Sequence, residues 1–231
     1  MRINADFEQR VVVHSEELDW VDSPMPGVSR RPLDRVGGEV ARATTIVRYA
    51  AGSKFSSHVH TGGEEFVVLD GVFQDEHGDF PQGSYIRNPP ESSHTPGSEL
   101  GCVIFVKLWQ FDLTDRTHVR LDEQSMEPVL SSNNPAVSKV SLFNDSNEEV
   151  SIQHWAPNSK ITIDPRAGLE ALVLEGSFVC ERDCLVKHSW VRLPVGDVLS
   201  AVAGPLGAKV WIKSNHLDKA NQQARLVESM G

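Results

Sequence analysis

Between Ala41 and Gln110 short apolar segments rich in Val, Ile, Thr, Phe and Tyr alternate with clusters of Gly, Pro and Asp. Strict alternation bounded by turn formers marks half-buried strands, and no helical period interrupts it. The pattern predicts strands at Ala43 to Tyr49, Phe55 to His60, Glu64 to Leu69, Val72 to Gln74, Ser84 to Asn88 and Cys102 to Gln110. Asp75-Glu76-His77-Gly78-Asp79 reads as a hairpin turn. Strands this short and this closely spaced predict a jelly roll or a barrel.

The same pattern occurs twice. Leu69-Asp70-Gly71-Val72-Phe73 aligns with Leu174-Glu175-Gly176-Ser177-Phe178 at an offset of 105, which also sets Ser84-Tyr85-Ile86-Arg87-Asn88-Pro89 on Ser189-Trp190-Val191-Arg192-Leu193-Pro194. One residue further on, Gly101-Cys102-Val103-Ile104-Phe105-Val106-Lys107 meets Gly207-Ala208-Lys209-Val210-Trp211-Ile212-Lys213. A duplicated domain accounts for this. The polar stretch from Asp122 to Pro135 lies between the halves, so the expected division is a domain over 1–123, a linker over 124–137 and a second domain over 138–231. Near the end Leu217, Ala220, Ala224 and Val227 recur at helical spacing and predict one short C-terminal helix.

Composition narrows the function classes. The chain carries 22 basic against 32 acidic residues, a formal charge of −10, and no Lys/Arg run long enough to track a phosphate backbone, so nucleic acid is not an expected partner. The N-terminus lacks a signal-peptide apolar core, and runs such as Val103-Ile104-Phe105-Val106 are too short to span a bilayer; a cytoplasmic protein without a membrane partner is expected. Cys102, Cys180 and Cys184 lack C-x-x-C spacing and read as reduced thiols.

The candidate chemistry lies in the first half. His58-x-His60 is followed after three residues by Glu64, and His94 comes about thirty residues later. Alternation along a strand sends His58 and His60 to one face. Gly62 and Gly63 permit a tight bend, after which Glu64 opens the next strand and can aim at the same point. Three imidazoles and one carboxylate suit one divalent transition metal: zinc, iron, manganese, nickel or copper. At this composition the set would arise by chance on the order of once in a thousand such chains.

These residues sit in a wider frame: Gly52 before the histidines, Gly71 after Glu64, then Gly83, Pro89 and His94. The frame resembles the two signature motifs of the cupin superfamily, with Glu91 in place of the second motif's second glycine and Ser98 in place of its asparagine. Residues from about 19 to 110 resemble the C-terminal sensor cupin of ChrR-type anti-sigma factors, through Trp20 with Ser23-Pro24-x-Pro26-Gly27-Val28, Gly37-Gly38-Glu39-x-Ala41-Arg42-Ala43-Thr44, Gly62-Gly63-Glu64-Glu65, Phe73-x-Asp75-Glu76-x-Gly78-Asp79, and Arg87-Asn88-Pro89-Pro90 leading to His94 and Gly101-Cys102. The resemblance implies an all-β protein of two tandem cupin (jelly-roll β-barrel) domains, a metal site at His58, His60, Glu64 and His94 with zinc the usual ion, and a role in sensing oxidants or small molecules. ChrR-type proteins hold their sigma factor through an N-terminal helical zinc domain with Cys ligands; no cysteine precedes Cys102 here, so direct sigma-factor binding is not expected.

At the aligned positions of the second half the ligands give way to Ile163 and Pro165 (or Asp164 and Arg166 with a one-residue slip), Leu169 and Leu199, which predicts a degenerate cupin without metal. Alternation places Glu65 on the outer, solvated face, makes Tyr85 and Arg87 packing or surface ion-pair residues, and makes Cys102 a buried inert thiol. Trp109, Phe111 and Phe105 are expected to fill core or interface. His14, His77, His118, His154, His188 and His216 have no partner at ligand spacing. The alternative to a sensor is an iron- or manganese-dependent dioxygenase acting on a small diketone or phenol, and no catalytic residue is assigned for it. Jelly rolls leave edge strands that need covering, and a homodimer is expected.

Overall fold

The structure, a computed structural model, describes residues 1–38 and 40–230. Glu39, part of the motif around Gly37, lies outside the described residues. The chain is all-β, with 55% of it in strands and, among the described residues, one short α-helix, Ala220–Ser229, at the predicted place. Its apolar stripe, Ala220, Ala224 and Val227, is buried.

The chain forms two compact units. The first comprises Met1–Ala5, Asp19–Ser125 and Gln222–Gly231, and the second Asp6–Leu18 and Met126–Asn221. This differs from a simple cut at 124–137, because the N-terminal strand Val11–His14 pairs with Ser189–Leu193 inside the second unit. Alternation alone cannot reveal which sheet edge a terminal strand will cover.

In the first unit the main sheet runs Val28–Gly37, Ala41–Tyr49, Cys102–Leu108, Glu64–Asp75, Ser84–Asn88, Val119–Asp122. In the second the corresponding order is Val137–Asn144, Glu149–Trp155, Leu199–Ser214, Leu169–Cys180, Ser189–Leu193, Val11–His14. The first five positions match strand for strand, which is the duplication read from the sequence expressed as topology. At the last position the second unit uses the N-terminal strand where the first uses its own Val119–Asp122.

The predicted break between Leu69 and Val72 is absent, because Glu64–Asp75 is one continuous strand with a register shift opposite Val103 and Ile104. Gly71 sits at φ 71°, and a Cβ there would lie 2.1 Å from the Gly101 carbonyl oxygen, so only glycine lets the two backbones pass. Each unit closes on its own apolar core: Val47, Phe66, Val68, Phe73, Ile86, Ile104 and Val106 in the first, and a larger cluster around Trp155, Val173, Phe178, Val191 and Val210 in the second. Among the described residues no helix is long and apolar enough to cross a membrane.

Candidate metal centre

The first unit sets two short strands, His58–His60 and Ser92–His94, against each other in antiparallel register, so that His94 lies directly opposite His58. Directly paired residues face the same side of a sheet, and so do residues two apart on one strand. The three imidazoles therefore converge: ring centroids are 4.8 Å apart for His58 and His60, 5.1 Å for His58 and His94, and 4.7 Å for His60 and His94. One nitrogen from each lies within 4.8 Å of the others, and the group could hold a metal ion.

Glu64 reaches the same point from the next strand. Its Oε2 is 3.4 Å from Nε2 of His60 and 3.5 Å from Nε2 of His94. Ligand atoms that share one ion at about 2.1 Å sit roughly 3–3.5 Å apart, so these separations suit a common ion. Nε2 of His60 is buried without a hydrogen-bond partner, an arrangement that costs free energy unless something else satisfies the lone pair. His60, Glu64 and His94 are buried, whereas His58 is exposed and forms the open side of the group.

The bend before Glu64 is tightly constrained. A Cβ on Gly62 would lie 2.0 Å from the Trp109 ring, and one on Gly63, at φ 77°, would lie 2.5 Å from the Phe111 ring. Trp109 and Phe111 thus pack the turn that delivers the carboxylate, in line with the filling role expected of them.

Neighbouring groups orient these candidate ligands. Nδ1 of His94 is 3.2 Å from Oδ2 of Asp75, and Nδ1 of His58 is 3.4 Å from the Ser56 carbonyl oxygen, so in both rings Nε2 is the nitrogen left for an ion. The Asn88 amide donates to Oε2 of Glu64 at 3.3 Å. Burial lowers the pKa of His60, with His94 and His58 adding to the effect against the pull of Glu64. Burial also disfavours charge on His94, but Asp75 and then Glu64 outweigh it and raise that pKa. The pKa of Asp75 falls despite burial, through His94 and the backbone N–H of His77. Asp75 and Asn88 were not singled out by ligand spacing, because Asp75 reads as a turn former and Asn88 as one polar residue in a strand.

Glu91 takes φ 71°, the left-handed conformation that glycine favours, and Gly196 takes φ 94° at the aligned position of the second unit. The left-handed turn is kept despite the substitution. Ser98 donates to the Val72 carbonyl oxygen at 2.6 Å.

Glu65 corrects a sequence expectation: it is 1% exposed and accepts a hydrogen bond from the Tyr85 hydroxyl at 2.5 Å. Arg87 is likewise buried and pairs with the partly buried Asp115. The outer face of this sheet is covered, so alternation separates two buried faces rather than core from solvent. Cys102 is buried, and burial pushes its thiol up to about 11, in keeping with an inert role. In the second unit Leu169 and Leu199 are fully buried in the core and Ile163 packs against it, so apolar contacts occupy the aligned ligand positions.

Residues 8–112 match the family described as the ChrR cupin-like domain. No curated protein is close enough in sequence to count as a relative. Among solved structures, a Nostoc punctiforme protein provisionally named a dioxygenase superposes with a TM-score of 0.75 at 16% identity, over 92% of this chain and 85% of that one. The nickel(II) complex of the bacterial pirin YhhW from Escherichia coli gives 0.62 at 13% identity, over 89% of this chain and 98% of that one. A Lactobacillus farciminis oxalate decarboxylase, solved as a formate complex, gives 0.63 at 9% identity, over 89% and 86%. Identities this low speak to fold alone. Taken with the duplicated topology and the convergent histidines, the match identifies residues 8–112 as resembling the ChrR cupin domain, within a chain that has the cupin fold.

Proposed function

We propose that the first unit binds one divalent transition metal, zinc by preference, through His58, His60, Glu64 and His94, and that the protein uses this centre to sense an oxidant or small molecule. The observation that carries the reading is the three-imidazole group, with a carboxylate oxygen about equally far from Nε2 of His60 and of His94. Four protein donors of this kind match the tetrahedral preference of zinc. Exposure of His58 gives a small molecule a route to the ion. The resemblance of residues 8–112 to the ChrR cupin domain supports a regulatory role.

A second reading is a metal-dependent dioxygenase, favoured by the likeness to the Nostoc punctiforme structure. Six-coordinate iron or manganese would keep two positions open beside the same four donors. In either reading a bound ion would supply Lewis acidity, while Asp75 and Asn88 hold His94 and Glu64 in place. We also propose a homodimer without direct sigma-factor contact.

Elemental analysis of protein purified without a chelating tag tests the shared claim, which expects one metal per chain, lost in a His58→Ala/His94→Ala variant. A stoichiometry near two, or unchanged metal in that variant, defeats it. Oxygen uptake with acetylacetone or quercetin by the iron- or manganese-loaded protein, abolished in Glu64→Ala, would replace the sensor by the enzyme. Sedimentation at micromolar concentration tests the dimer.

A further inference from the structure

In the second unit the strand ladder fixes which side chains face the barrel interior. Lys139 pairs with Gln153, Gln153 with Val210 and Val210 with Val173. The next row on the same face runs Ser141, Ser151, Ile212, Ala171. Directly paired residues share a face. Val173, Val210, Ala171 and Ile212 all belong to the apolar core, so Lys139, Gln153 and Ser141 stand on the interior side. From strand Lys160–Ile163, Ile161 lies in the same core and Ile163 packs against it.

The space between these side chains is not filled. A cavity of about 830 Å³, open on one side, is lined by Lys139, Ser141 and Gln153 together with Val137, Ile161 and Ile163. Strand Val129–Leu130 stands at its lip. Val129 pairs with Lys139 and so extends the interior row, yet it is 71% exposed.

The polar groups on this lining define what it can hold. Lys139 is neutralised by an ion pair with Glu149, and the other charged residues bordering the cavity, Lys160 and Glu127, are of opposite sign. An anion therefore finds no net counter-charge. Oε1 of Gln153 accepts from the Trp155 indole N–H at 2.9 Å, which fixes the amide and leaves its NH2 without a partner among the described residues. The Ser141 hydroxyl has no partner among them either. At the position of Gln153 the first unit has Val47, paired with Ile104 inside the apolar core. The second barrel thus carries no candidate metal ligands at the aligned positions, but sets hydrogen-bond donors on a wall where the first is apolar.

From these observations we propose that this cavity is a ligand site in its own right, and that it takes an uncharged molecule with an apolar body and a carbonyl oxygen. Gln153 and Ser141 donate to the oxygen, while Val137, Ile161, Ile163 and Val129 shelter the body. Small-molecule sites are typically cavities of about 300–1,000 Å³ with apolar walls and a few convergent polar groups. A carboxylate would give up its hydration here without an opposite charge in return, and a hydrocarbon would leave the amide donor unmet. The inference concerns the second unit alone and does not depend on metal binding by the first.

The experiment is a ligand-observed NMR titration of acetophenone, benzoate and ethylbenzene, which compares a ketone with an anion and a hydrocarbon of similar size. Benzophenone serves as a larger, photoreactive ketone. Both ketones are expected to bind, with benzoate and ethylbenzene weaker than acetophenone by about tenfold. Ile163→Trp, which fills the cavity, should abolish ketone binding, and Gln153→Leu should weaken it about tenfold. The urea midpoint of each variant reports whether it is folded. On irradiation, benzophenone should label the wild-type protein within residues 126–141 and 153–163, and excess acetophenone should suppress the label, a readout that needs no variant. Absence of binding by both ketones, or benzoate or ethylbenzene binding as tightly as acetophenone, would overturn the inference. So would full affinity in a folded variant of either kind, or labelling confined to other peptides.

Discussion

The Asp75 carboxylate lies 3.2 Å from Nδ1 of His94, at the far end of the strand that Glu64 begins. One strand therefore supplies both a candidate ligand and the group that aims another. Orienting carboxylates of this kind fix the ring and raise its basicity, and their loss typically costs about 10–100-fold in metal affinity. Asp75→Asn is expected to weaken zinc binding by that factor while leaving the far-ultraviolet dichroism unchanged. Competition with a chromogenic chelator measures it, and unchanged affinity would mean that Asp75 merely caps the turn through the His77 N–H.

Acid sensitivity should be readable at Asp115. Burial alone would raise its pKa, but the Thr117 backbone N–H and the Arg87 guanidinium more than offset this and hold it below the usual carboxylate range. A depressed carboxylate contributes stability that is present above its unfolded pKa, near 3.9, and lost as pH falls through the lower folded value. Melting temperature should therefore drop as pH falls below about 4, and Asp115→Asn should be less stable at pH 7 and flatter across that window. Parallel slopes for the two proteins would remove Asp115 from the acid response.

At Glu91 a side chain occupies a conformation suited to glycine, with a surface ion pair to Arg116 as its visible compensation. The left-handed region costs a non-glycine residue about 1–2 kcal/mol, whereas glycine loses about 0.5–1 kcal/mol of chain entropy and the exposed pair is worth at most about 1 kcal/mol. Glu91→Gly should accordingly change stability by less than about 1.5 kcal/mol. Urea unfolding is the measurement, and a loss above about 2 kcal/mol would show that Glu91 has a structural role beyond the turn.

The candidate ligands were legible in part: strand alternation puts His58 and His60 on one face and a glycine bend precedes Glu64, both local rules, whereas the register that sets His94 opposite His58 is a tertiary fact. The strands around them were legible for the same reason, as was the helix stripe from Ala220 to Val227. Asp75 was hidden because its role depends on where Glu64–Asp75 ends relative to His94, a tertiary fact. The N-terminal strand Val11–His14 was hidden because its partner, Ser189–Leu193, lies far along the chain. Glu65 was misread for a different reason: alternation says which residues share a face, but not whether that face meets water.

The offset that aligns the two halves carries Glu65 onto Glu170, Tyr85 onto Trp190 and Arg87 onto Arg192, and one residue further on Lys107 meets Lys213. All eight side chains are fully or almost fully buried. In each unit the glutamate lies between the lysine and the arginine across neighbouring strands. The Tyr85 hydroxyl donates to Glu65, and the Trp190 indole N–H donates to Glu170 at 3.1 Å. The candidate metal ligands differ between the halves while this charged row is shared, which marks the row as belonging to the fold rather than to any metal chemistry. Removing one partner of a buried ionic group leaves uncompensated charge and costs about 3–5 kcal/mol. Glu65→Gln and Glu170→Gln should each destabilise by that amount in urea unfolding. Metal content per folded chain should stay unchanged in both, because Glu64, and not its neighbour, faces the histidines. Metal loss in Glu65→Gln with stability preserved would reverse that assignment, and a cost below about 1 kcal/mol in either variant would show that the row is not held by its charges.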